Sequence, residues 1–464
     1  MLPILAIVGR PNVGKSTLFN RLTRSRDALV ADRPGITRDR QYGFAQHGRR
    51  RFIVVDTGGM GEGGEGDAHL AARISDQALR AVQEADVVLW LVDGRTGIAA
   101  LDLELADTLR RTGKRVHLVV NKTEGLDPDV ACADFHRLGA GEPHAISAEH
   151  GTGIPLLLKQ ILGELPDTDA EPETEMPGPR IGIIGRPNVG KSTLVNRMLG
   201  EERVLTYDEP GTTRDSIAVP FERRGRRYVL VDTPGIRRRA RVADRVEKTS
   251  VAKSLQAVDQ SDVVIAVMDA RDGVTDQDIA LLGLTAESGK SLMIAINKCD
   301  GLSEEQRGTV RSQVRRRLAF VEYACIRYIS ALHGTGVGKL FDTIDAIAEA
   351  QARTFKSSAV TAILRQAVQA HEPPLVQGRR IKLRYAHIGG RGPLRVIVHG
   401  NQTEHVPEAY RRYLSNSLRR GLKLIGTPVV VDFKRGENPY KGKRNERKNR
   451  QLAKRSRMIR KKRR

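Results

Sequence analysis

The sequence predicts an α/β protein with two doubly wound domains in tandem, followed by a smaller α+β domain. Two observations predict this architecture. The stretch Gly-Arg-Pro-Asn-Val-Gly-Lys-Ser occurs twice, at residues 9–16 and 185–192. Around each copy, strand-like apolar runs alternate with helical patterns and end in polar motifs, as in sheets that bind ligands at the carboxyl ends of their strands. A chain of 464 residues is long enough for about three such domains.

The first unit is predicted over residues 1–163. Short apolar runs bounded by turn residues indicate its strands, and a spacing of three to four residues between apolar positions indicates its helices. The predicted strands are 2–8, 51–55, 86–92, 116–120 and 144–146, and the predicted helices are 15–23, 100–112 and 153–163.

A second unit, predicted over 180–350, repeats the first. Four of its motifs follow those of the first unit at a separation of 176 residues, which relates Asn121 to Asn297, for example, and only the last pair, Ser147-Ala148 and Ser330-Ala331, is 183 residues apart. This spacing indicates a tandem duplication. Between the units, residues 164–179 hold six acidic residues and four prolines and are predicted to be a linker.

After residue 350 the repeated motifs stop. Residues 351–440 are predicted to form the α+β domain, and residues 441–464 a disordered basic tail. The tail carries 14 Lys and Arg residues against one Glu, which supplies +13 of the net charge of +23. Such a density favours a polyanion such as nucleic acid through counterion release; a solvated tail without a partner is the alternative. The predicted elements are helices 358–371 and 407–421 and strands 380–387, 394–399 and 427–433.

Composition excludes several other classes. No apolar run is long enough to span a bilayer, and the tail has few apolar residues to insert into a membrane, so we expect no membrane partner. The apolar start of the chain leads directly into the first glycine-rich stretch, which favours a strand over a signal peptide. Three cysteines without paired spacing argue against disulfides or a zinc site, so we expect a cytoplasmic protein.

The repeated stretch fits G-x-x-x-x-G-K-[ST], the loop that surrounds nucleotide phosphates. Its glycines let successive backbone N–H groups face an anion, and the following helix directs its positive dipole end to the same place. Lys15 and Lys191 are predicted to reach the β- and γ-phosphates. Ser16 and Ser192 are predicted to bind Mg²⁺.

Further motifs complete a nucleotide site in each unit. A threonine hydroxyl is expected to close over Mg²⁺ when a γ-phosphate is present, and an aspartate at a strand end to hold Mg²⁺ through water. A glycine is expected to offer its backbone N–H to the γ-phosphate, so hydrolysis would release both loops. These residues are Thr37 and Thr213 for the hydroxyl, Asp56 and Asp232 for the carboxylate, and Gly59 and Gly235 for the amide.

The pattern Asn-Lys-x-Asp selects guanine, because its carboxylate accepts from the guanine N1–H and amino group, which adenine cannot match. Asp300 fits this pattern, whereas the first unit has Glu124, one methylene longer. The guanine specificity and affinity of the first site are therefore left open. Lys122 and Lys298 are expected to flank the base, and Ser147-Ala148 and Ser330-Ala331 to back it.

With this motif set, the chain resembles the bacterial tandem-GTPase family called Der or EngA. The resemblance covers residues 1–440 and includes a C-terminal domain similar to a KH domain. It implies an enzyme that hydrolyses GTP at two sites with Mg²⁺ and takes part in assembly of the large ribosomal subunit, in contact with rRNA. A monomer is expected. The predicted nucleotide-binding residues are Gly9, Arg10, Pro11, Asn12, Val13, Gly14, Lys15, Ser16, Asp56, Thr57, Gly58, Gly59, Asn121, Lys122, Glu124, Ser147 and Ala148 in the first unit, and Gly185, Arg186, Pro187, Asn188, Val189, Gly190, Lys191, Ser192, Asp232, Thr233, Pro234, Gly235, Asn297, Lys298, Asp300, Ser330 and Ala331 in the second.

Neither unit has the glutamine that orients water in many GTPases. Met60 and Ile236 stand at that position, so slow intrinsic hydrolysis is expected. Relatives with a hydrophobic residue there often use K⁺, held partly by an asparagine of the phosphate loop. Asn12 and Asn188 match that asparagine; a turn-forming role is the alternative.

Two features bear on RNA. Gly389-Gly-Arg-Gly392 spells the GxxG with which KH domains clamp an RNA backbone, but it joins two predicted strands and is interpreted as a hairpin turn. RNA contact would then come from basic side chains and the tail. The basic segment 237–241 is a candidate for coupling nucleotide state to an RNA or interdomain contact; a solvated charge run is the alternative.

Three functions compete. The first is a switch in which GTP hydrolysis times binding to and release from a precursor of the large subunit. The second is a constitutive RNA-binding scaffold whose first unit is structural, which Glu124 favours. The third is a GTPase that assists tRNA modification, for which the sequence shows no additional catalytic segment.

Overall fold

The computed structural model describes most of the two repeated units and of the C-terminal domain. In that part of the chain, two large sheets with flanking helices, a three-stranded sheet and a two-stranded sheet confirm the predicted α/β class. The residues described are 2–23, 41–48, 50–57, 79, 81–165, 178–200, 203–204, 218–231, 251–376, 379–391 and 393–435.

The first α/β domain has a six-stranded sheet in the order β2-β3-β1-β4-β5-β6, in which only β2 is antiparallel to its neighbour. Every residue of β4 is buried, as expected for a strand covered on both faces by helices. β3 pairs with one side of β1 and β4 with the other, so the strand order reverses at β1. The carboxyl end of β1 therefore borders a crevice. The strands are β1 Ile4–Val8, β2 Gln41–His47, β3 Arg50–Asp56, β4 Val87–Asp93, β5 Arg115–Asn121 and β6 His144–Ala145; the helices are α1 Lys15–Thr23, α2 Ala100–Thr112, α3 Pro128–Ala133 and α4 Ile154–Glu164, with a 3-10 turn at Asp134–Leu138.

The second α/β domain repeats this arrangement in a seven-stranded sheet, β8-β9-β10-β7-β11-β12-β13, with one additional edge strand. Parallel pairing of β7 with β10 and β11 reproduces that of β1 with β3 and β4. Its strands are β7 Arg180–Ile184, β8 Arg203–Val204, β9 Ala218–Arg223, β10 Arg226–Val231, β11 Val263–Asp269, β12 Ser291–Asn297 and β13 Cys325–Tyr328; its helices are α5 Lys191–Gly200, α6 Val251–Gln260, α7 Asp276–Glu287, α8 Glu304–Arg317 and α9 Val337–Ala352, with a 3-10 turn at Ala319–Val321.

The C-terminal domain packs two helices on one face of a three-stranded sheet, β16-β17-β18. Leu364 and Leu418 of the helices are fully buried against Val396 and Val398 of β17. β16 and β17 pair antiparallel up to Arg391 and Leu394, which confirms a hairpin and no helix-flanked GxxG; Gly392 itself lies outside the described residues. The elements are α10 Ser357–Ala370, β14 Leu375–Val376, β15 Arg379–Arg380, β16 Lys382–Arg391, β17 Leu394–Asn401, α11 Glu408–Gly421 and β18 Val429–Arg435, with a 3-10 turn at Thr403–His405.

Helix α6 of the second α/β domain packs against the first. Its Ala252 and Leu255 are buried in the apolar core of the first domain, and the Gln256 side-chain amide donates to the Leu2 carbonyl at 3.0 Å. Arg51 of β3 pairs with Asp259 at 2.6 Å. Because these contacts combine apolar burial with directional bonds, they fix one surface of the first domain on the second.

The C-terminal domain is held to the second α/β domain at the start of β12. The Leu292 amide donates to the Gly426 carbonyl, and the hydroxyls of Ser291 and Thr427 are bonded, both at 2.8 Å. These bonds lie at the end of the C-terminal sheet, just before β18. They do not cover the sheet face that lies opposite α10 and α11. Among the residues that the structure describes, none of the helices combines the length and apolarity needed to cross a membrane.

Candidate nucleotide sites

Each phosphate loop runs from the carboxyl end of a central strand into a helix. Lys15, at the start of α1, is only 8% exposed, and its Nζ donates to the carbonyls of Gly9 at 2.9 Å and Arg10 at 2.8 Å. Burial lowers the pKa of Lys15, an effect that the nearby charge of Asp56 opposes. The ammonium is thus held across the loop, where an anion would relieve its desolvation.

The second loop has the same geometry. Lys191 Nζ donates to the carbonyls of Gly185 at 3.0 Å and Arg186 at 2.6 Å. In both loops the valine is buried and the proline and asparagine are exposed, so backbone and lysine form the interior of the loop. The residues concerned are Val13 and Val189, Pro11 and Pro187, and Asn12 and Asn188.

The asparagine of Asn-Lys-x-Asp braces the loop. Asn121 Nδ2 donates to the Val13 carbonyl, and its Oδ1 accepts from the Ala148 amide, both at 2.8 Å. A Cβ at Gly14 would lie 2.3 Å from Asn121 Nδ2, and the φ of Gly14 is +97°, so only glycine fits there. In the second site, Asn297 bonds Val189 at 2.9 Å and Ala331 at 2.8 Å, against Gly190.

The lysine of the same motif also belongs to this frame. Lys122 Nζ donates to the Asn12 carbonyl at 2.8 Å and pairs with Asp93 at 2.7 Å. Asn12 has a φ of 65°, in the left-handed region that asparagine tolerates. Asparagine is therefore suited to that position. In the second site, Lys298 bonds the Asn188 carbonyl at 2.8 Å and Asp269 at 2.6 Å.

Asp93 stays ionised in this setting. Burial would raise the pKa of Asp93, but the hydrogen bond from Lys122 and those from the amides of Arg95 and Thr96 outweigh it and lower the pKa. The carboxylate therefore fixes the Lys122 side chain, whose apolar stem is left to cover a base.

The loop arginines differ between the sites. Arg10 Nε bonds the buried Asp102 at 3.3 Å, and its Nη2 bonds the Thr96 hydroxyl. Arg186 instead contacts two carboxylates, Asp278 at 3.0 Å and Asp272 at 3.2 Å. Burial opposes the charge of Arg186, but the two aspartates outweigh it and raise its pKa.

A partial cation site is visible in the first domain. Ser16 Oγ donates to the fully buried Asp56 at 2.8 Å, so a hydroxyl and a carboxylate already face each other at the loop. Thr57 is fixed by its hydroxyl, which donates to the Ile7 carbonyl at 2.9 Å. An oxygen pair of this kind fits Mg²⁺, which takes few protein ligands beside phosphate and water.

The guanine end shows the largest difference. Hydrogen bonds from its own amide and from Ser147 lower the pKa of Glu124, and those from Ser330 and its own amide lower the pKa of Asp300. Glu124 is also paired with Arg95 at 2.9 Å, whereas Arg271 stands 3.7 Å from Asp300. The longer side chain of the first site is thus engaged by an arginine.

Sequence profiles of known families match the two α/β domains and the C-terminal domain. The profile described as "50S ribosome-binding GTPase" matches residues 4–122 and 180–298, and that described as "KH-domain-like of EngA bacterial GTPase enzymes, C-terminal" matches 355–434. Proteins called GTPase Der are similar over nearly the whole chain. That of Methylococcus capsulatus is 56% identical over 465 residues, covering 99% of both chains; that of Marinobacter nauticus is 55% identical over 442 residues, covering 95% of this chain and 93% of its own.

The chain belongs to the GTPase Der family. It is therefore a GTPase with two guanine-nucleotide domains and a KH-like C-terminal domain. Among solved structures, Aquifex aeolicus Era bound to GDP.AlF4⁻ is similar at 20% identity, with a TM-score of 0.28, over 56% of this chain and 93% of that one.

Sequence reasoning missed two aspartates in each unit. Asp93 and Asp269 hold the motif lysines, and Asp102 and Asp278 hold the loop arginines. Both pairs obey the 176-residue repeat, which was the signal that could have found them.

Several predicted residues lie outside the described part of the chain. They are Thr37, Gly58, Gly59 and Met60 in the first unit, and Thr213, Asp232, Thr233, Pro234, Gly235, Ile236 and the basic segment 237–241 in the second.

Proposed function

We propose that this GTPase is a switch in assembly of the large ribosomal subunit, binding rRNA or ribosomal particles according to the nucleotides in its two sites. The observation that carries the proposal is the pairing of two matching nucleotide frames with a KH-like domain fixed to the second of them. The bonds of Ser291 and Leu292 to that domain connect it to β12, whose last residue is Asn297 of the second site.

The residues of the two sites have separable roles in this proposal. Lys15 and Lys191 bind the β- and γ-phosphates and, with Thr37 and Thr213, support the transfer; the loop amides cradle the phosphates. Lys122 and Lys298 cover the base, while Glu124 and Asp300 accept from guanine. The bonds from Asn121 and Asn297 to the loop valines hold the phosphate and base contacts in register.

Ser16 and Asp56 would hold Mg²⁺ in the first site and Ser192 and Asp232 in the second, and Thr37 and Thr213 would add a further hydroxyl to each set. When bound, the ion neutralises charge on the phosphate oxygens. The 2.8 Å contact between Ser16 and Asp56 supports this assignment in the first site.

K⁺ is a further cofactor in this proposal, held in part by Asn12 and Asn188. Both side chains are exposed at the loop, which leaves them accessible to an ion beside the phosphates. Met60 and Ile236 supply no water-orienting group, so hydrolysis without such an ion is slow.

The ends of the helices and strands support the proposed domain boundaries. We place them at 1–163, 180–350 and 351–440, with the linker 164–179 and the tail 441–464. Helix α4 ends at Glu164 and β7 begins at Arg180, while α9 ends at Ala352 and α10 begins at Ser357, which supports these positions within about two residues.

The tail is proposed to bind rRNA through charge. Removing residues 441–464, which carry 14 Lys and Arg residues, should weaken binding to large subunits and flatten its dependence on salt. Titrations at several KCl concentrations measure that slope. An unchanged slope would leave the tail as a solubility segment.

Sedimentation with purified ribosomal subunits tests the proposal as a whole. The full chain should pellet with large subunits in a non-hydrolysable GTP analogue and less so in GDP, and should not pellet with small subunits in either. Equal pelleting in both nucleotides would favour the constitutive scaffold, and preference for small subunits would contradict the assignment.

A further inference from the structure

The C-terminal sheet carries three aromatic rings on the face opposite its helices. Ala386, Val396 and Val398 are fully buried beneath α10 and α11, and the alternation of side chains places Tyr385 and His399 on the other face. Tyr385 is 48% exposed, so this face is open to solvent in the part of the chain that the structure describes.

Two of these rings are stacked, and the third lies beside them. Tyr385 of β16 and His399 of β17 are direct cross-strand neighbours, with centroids 4.3 Å apart and planes only 7° from parallel. His387 extends the group, with its centroid 5.2 Å from that of His399 and an angle of 25°. The shielded Nε2 of His399 has no hydrogen-bond partner among the described residues, and its ring stacks on that of Tyr385 on this face.

The charge around the stack is positive. Lys434 of β18 lies beside His399 in the sheet register, and Lys382 and Arg384 are exposed on β16. The carboxylate on this face, Asp432, is paired with Arg395 at 3.2 Å. An aromatic surface bordered by cations is suited to unpaired nucleotides, whose bases stack while their phosphates meet the cations.

We propose that a base of single-stranded RNA continues this stack on Tyr385. The surface formed by Tyr385, His387 and His399, here called the ring platform, thereby replaces the GxxG clamp that the hairpin between β16 and β17 cannot form. Duplex RNA keeps its bases stacked internally and offers only its backbone, so the ring platform distinguishes single strands from duplexes. This inference rests on the RNA-binding part of the proposed function.

Fluorescence anisotropy of the full chain with a short labelled oligouridylate, and with an RNA duplex of equal length, tests the proposal. Tyr385→Ala should weaken oligouridylate binding by about tenfold and leave duplex binding unchanged. Tyr328→Ala, which removes an exposed tyrosine of the second α/β domain, is the matched control and should change neither. Unchanged thermal unfolding of both variants shows that they are folded.

Tyr385→Trp supplies a second readout. The introduced indole should preserve binding and be quenched by oligouridylate, against the constant signal of Trp90, the single natural tryptophan, which is fully buried in the first α/β domain. Binding that is indifferent to both substitutions overturns the ring platform alone. Failure of the unmodified chain to bind any RNA overturns the RNA part of the proposed function, and quenching by purified ribosomal proteins but not by RNA assigns the platform to a protein and overturns this inference.

Discussion

The two nucleotide sites share one frame at the phosphate end and differ at the guanine end. The lysine-to-carbonyl, asparagine-to-valine and lysine-to-aspartate bonds recur in both with lengths within a few tenths of an ångström. At the guanine end, the first site has a glutamate engaged by Arg95 and the second an aspartate with its arginine farther away.

This difference indicates which parts of a duplicated site are constrained. Buried groups anchor the frame, among them Lys15, Asn121 and Asp93, so changing one of these residues leaves an unsatisfied partner. Glu124 and Asp300 lie at the solvent edge, where an altered carboxylate can be accommodated. We therefore expect equal phosphate binding and unequal guanine recognition in the two sites.

Substitution of the loop lysine should have the largest effect. Lys15→Ala and Lys191→Ala each remove the proposed charge-assisted contact to phosphate and should weaken GTP binding at the altered site on the order of 100-fold. Isothermal titration resolves this, since each variant retains the other site as an internal control for folding. Loss at both sites from one substitution would contradict independent phosphate frames.

Removing the newly identified aspartates should have an intermediate effect. Asp93→Ala and Asp269→Ala leave the motif lysine without its ion pair, and GTP affinity at that site should fall about tenfold. Asp107→Ala, which breaks the exposed pair with Arg110, is the control and should leave affinity unchanged. Equal behaviour of all three variants would show that the frame lysine needs no carboxylate.

Exchange of the guanine carboxylates tests the difference itself. Glu124→Asp should raise guanine affinity at the first site several-fold, because the shorter chain escapes Arg95, and Asp300→Glu should lower it at the second site by a similar factor. Titration with GTP and ATP, in the background of the lysine variant that silences the other site, measures both affinity and selectivity. Opposite signs would assign tighter recognition to the glutamate.

Replacing K⁺ should have the smallest effect on nucleotide binding. Its effect should be seen mainly in the rate of GTP hydrolysis. GTP hydrolysis should be several-fold faster in KCl than in NaCl at equal ionic strength, and Asn12→Ala with Asn188→Ala should remove that ratio. Equal rates in the two salts would restrict both asparagines to the left-handed turn that the structure shows.

Periodicity predicted most of the elements because long apolar runs and helical spacing are local signals. The predicted helix 15–23 is α1, and predicted strands such as 394–399 agree with β17 within two residues. β2 was missed because polar and apolar residues mix around Gly43 in Gln41–His47. Asp93 was missed because its partner Lys122 is remote in sequence, and the ring platform because stacking across β16 and β17 depends on strand register.

The unequal guanine recognition of the two sites is tested most directly by nucleotide titration of the full-length Lys191→Ala and Lys15→Ala variants, which isolate the first and second sites. With Mg²⁺ present, both variants should bind GDP, and the first site should show the weaker affinity and the smaller preference for GDP over ADP. Absence of nucleotide binding in Lys191→Ala would make the first domain a structural scaffold. Equal affinity and preference in the two variants would show that Glu124 and Asp300 are interchangeable and contradict the expected difference between the sites.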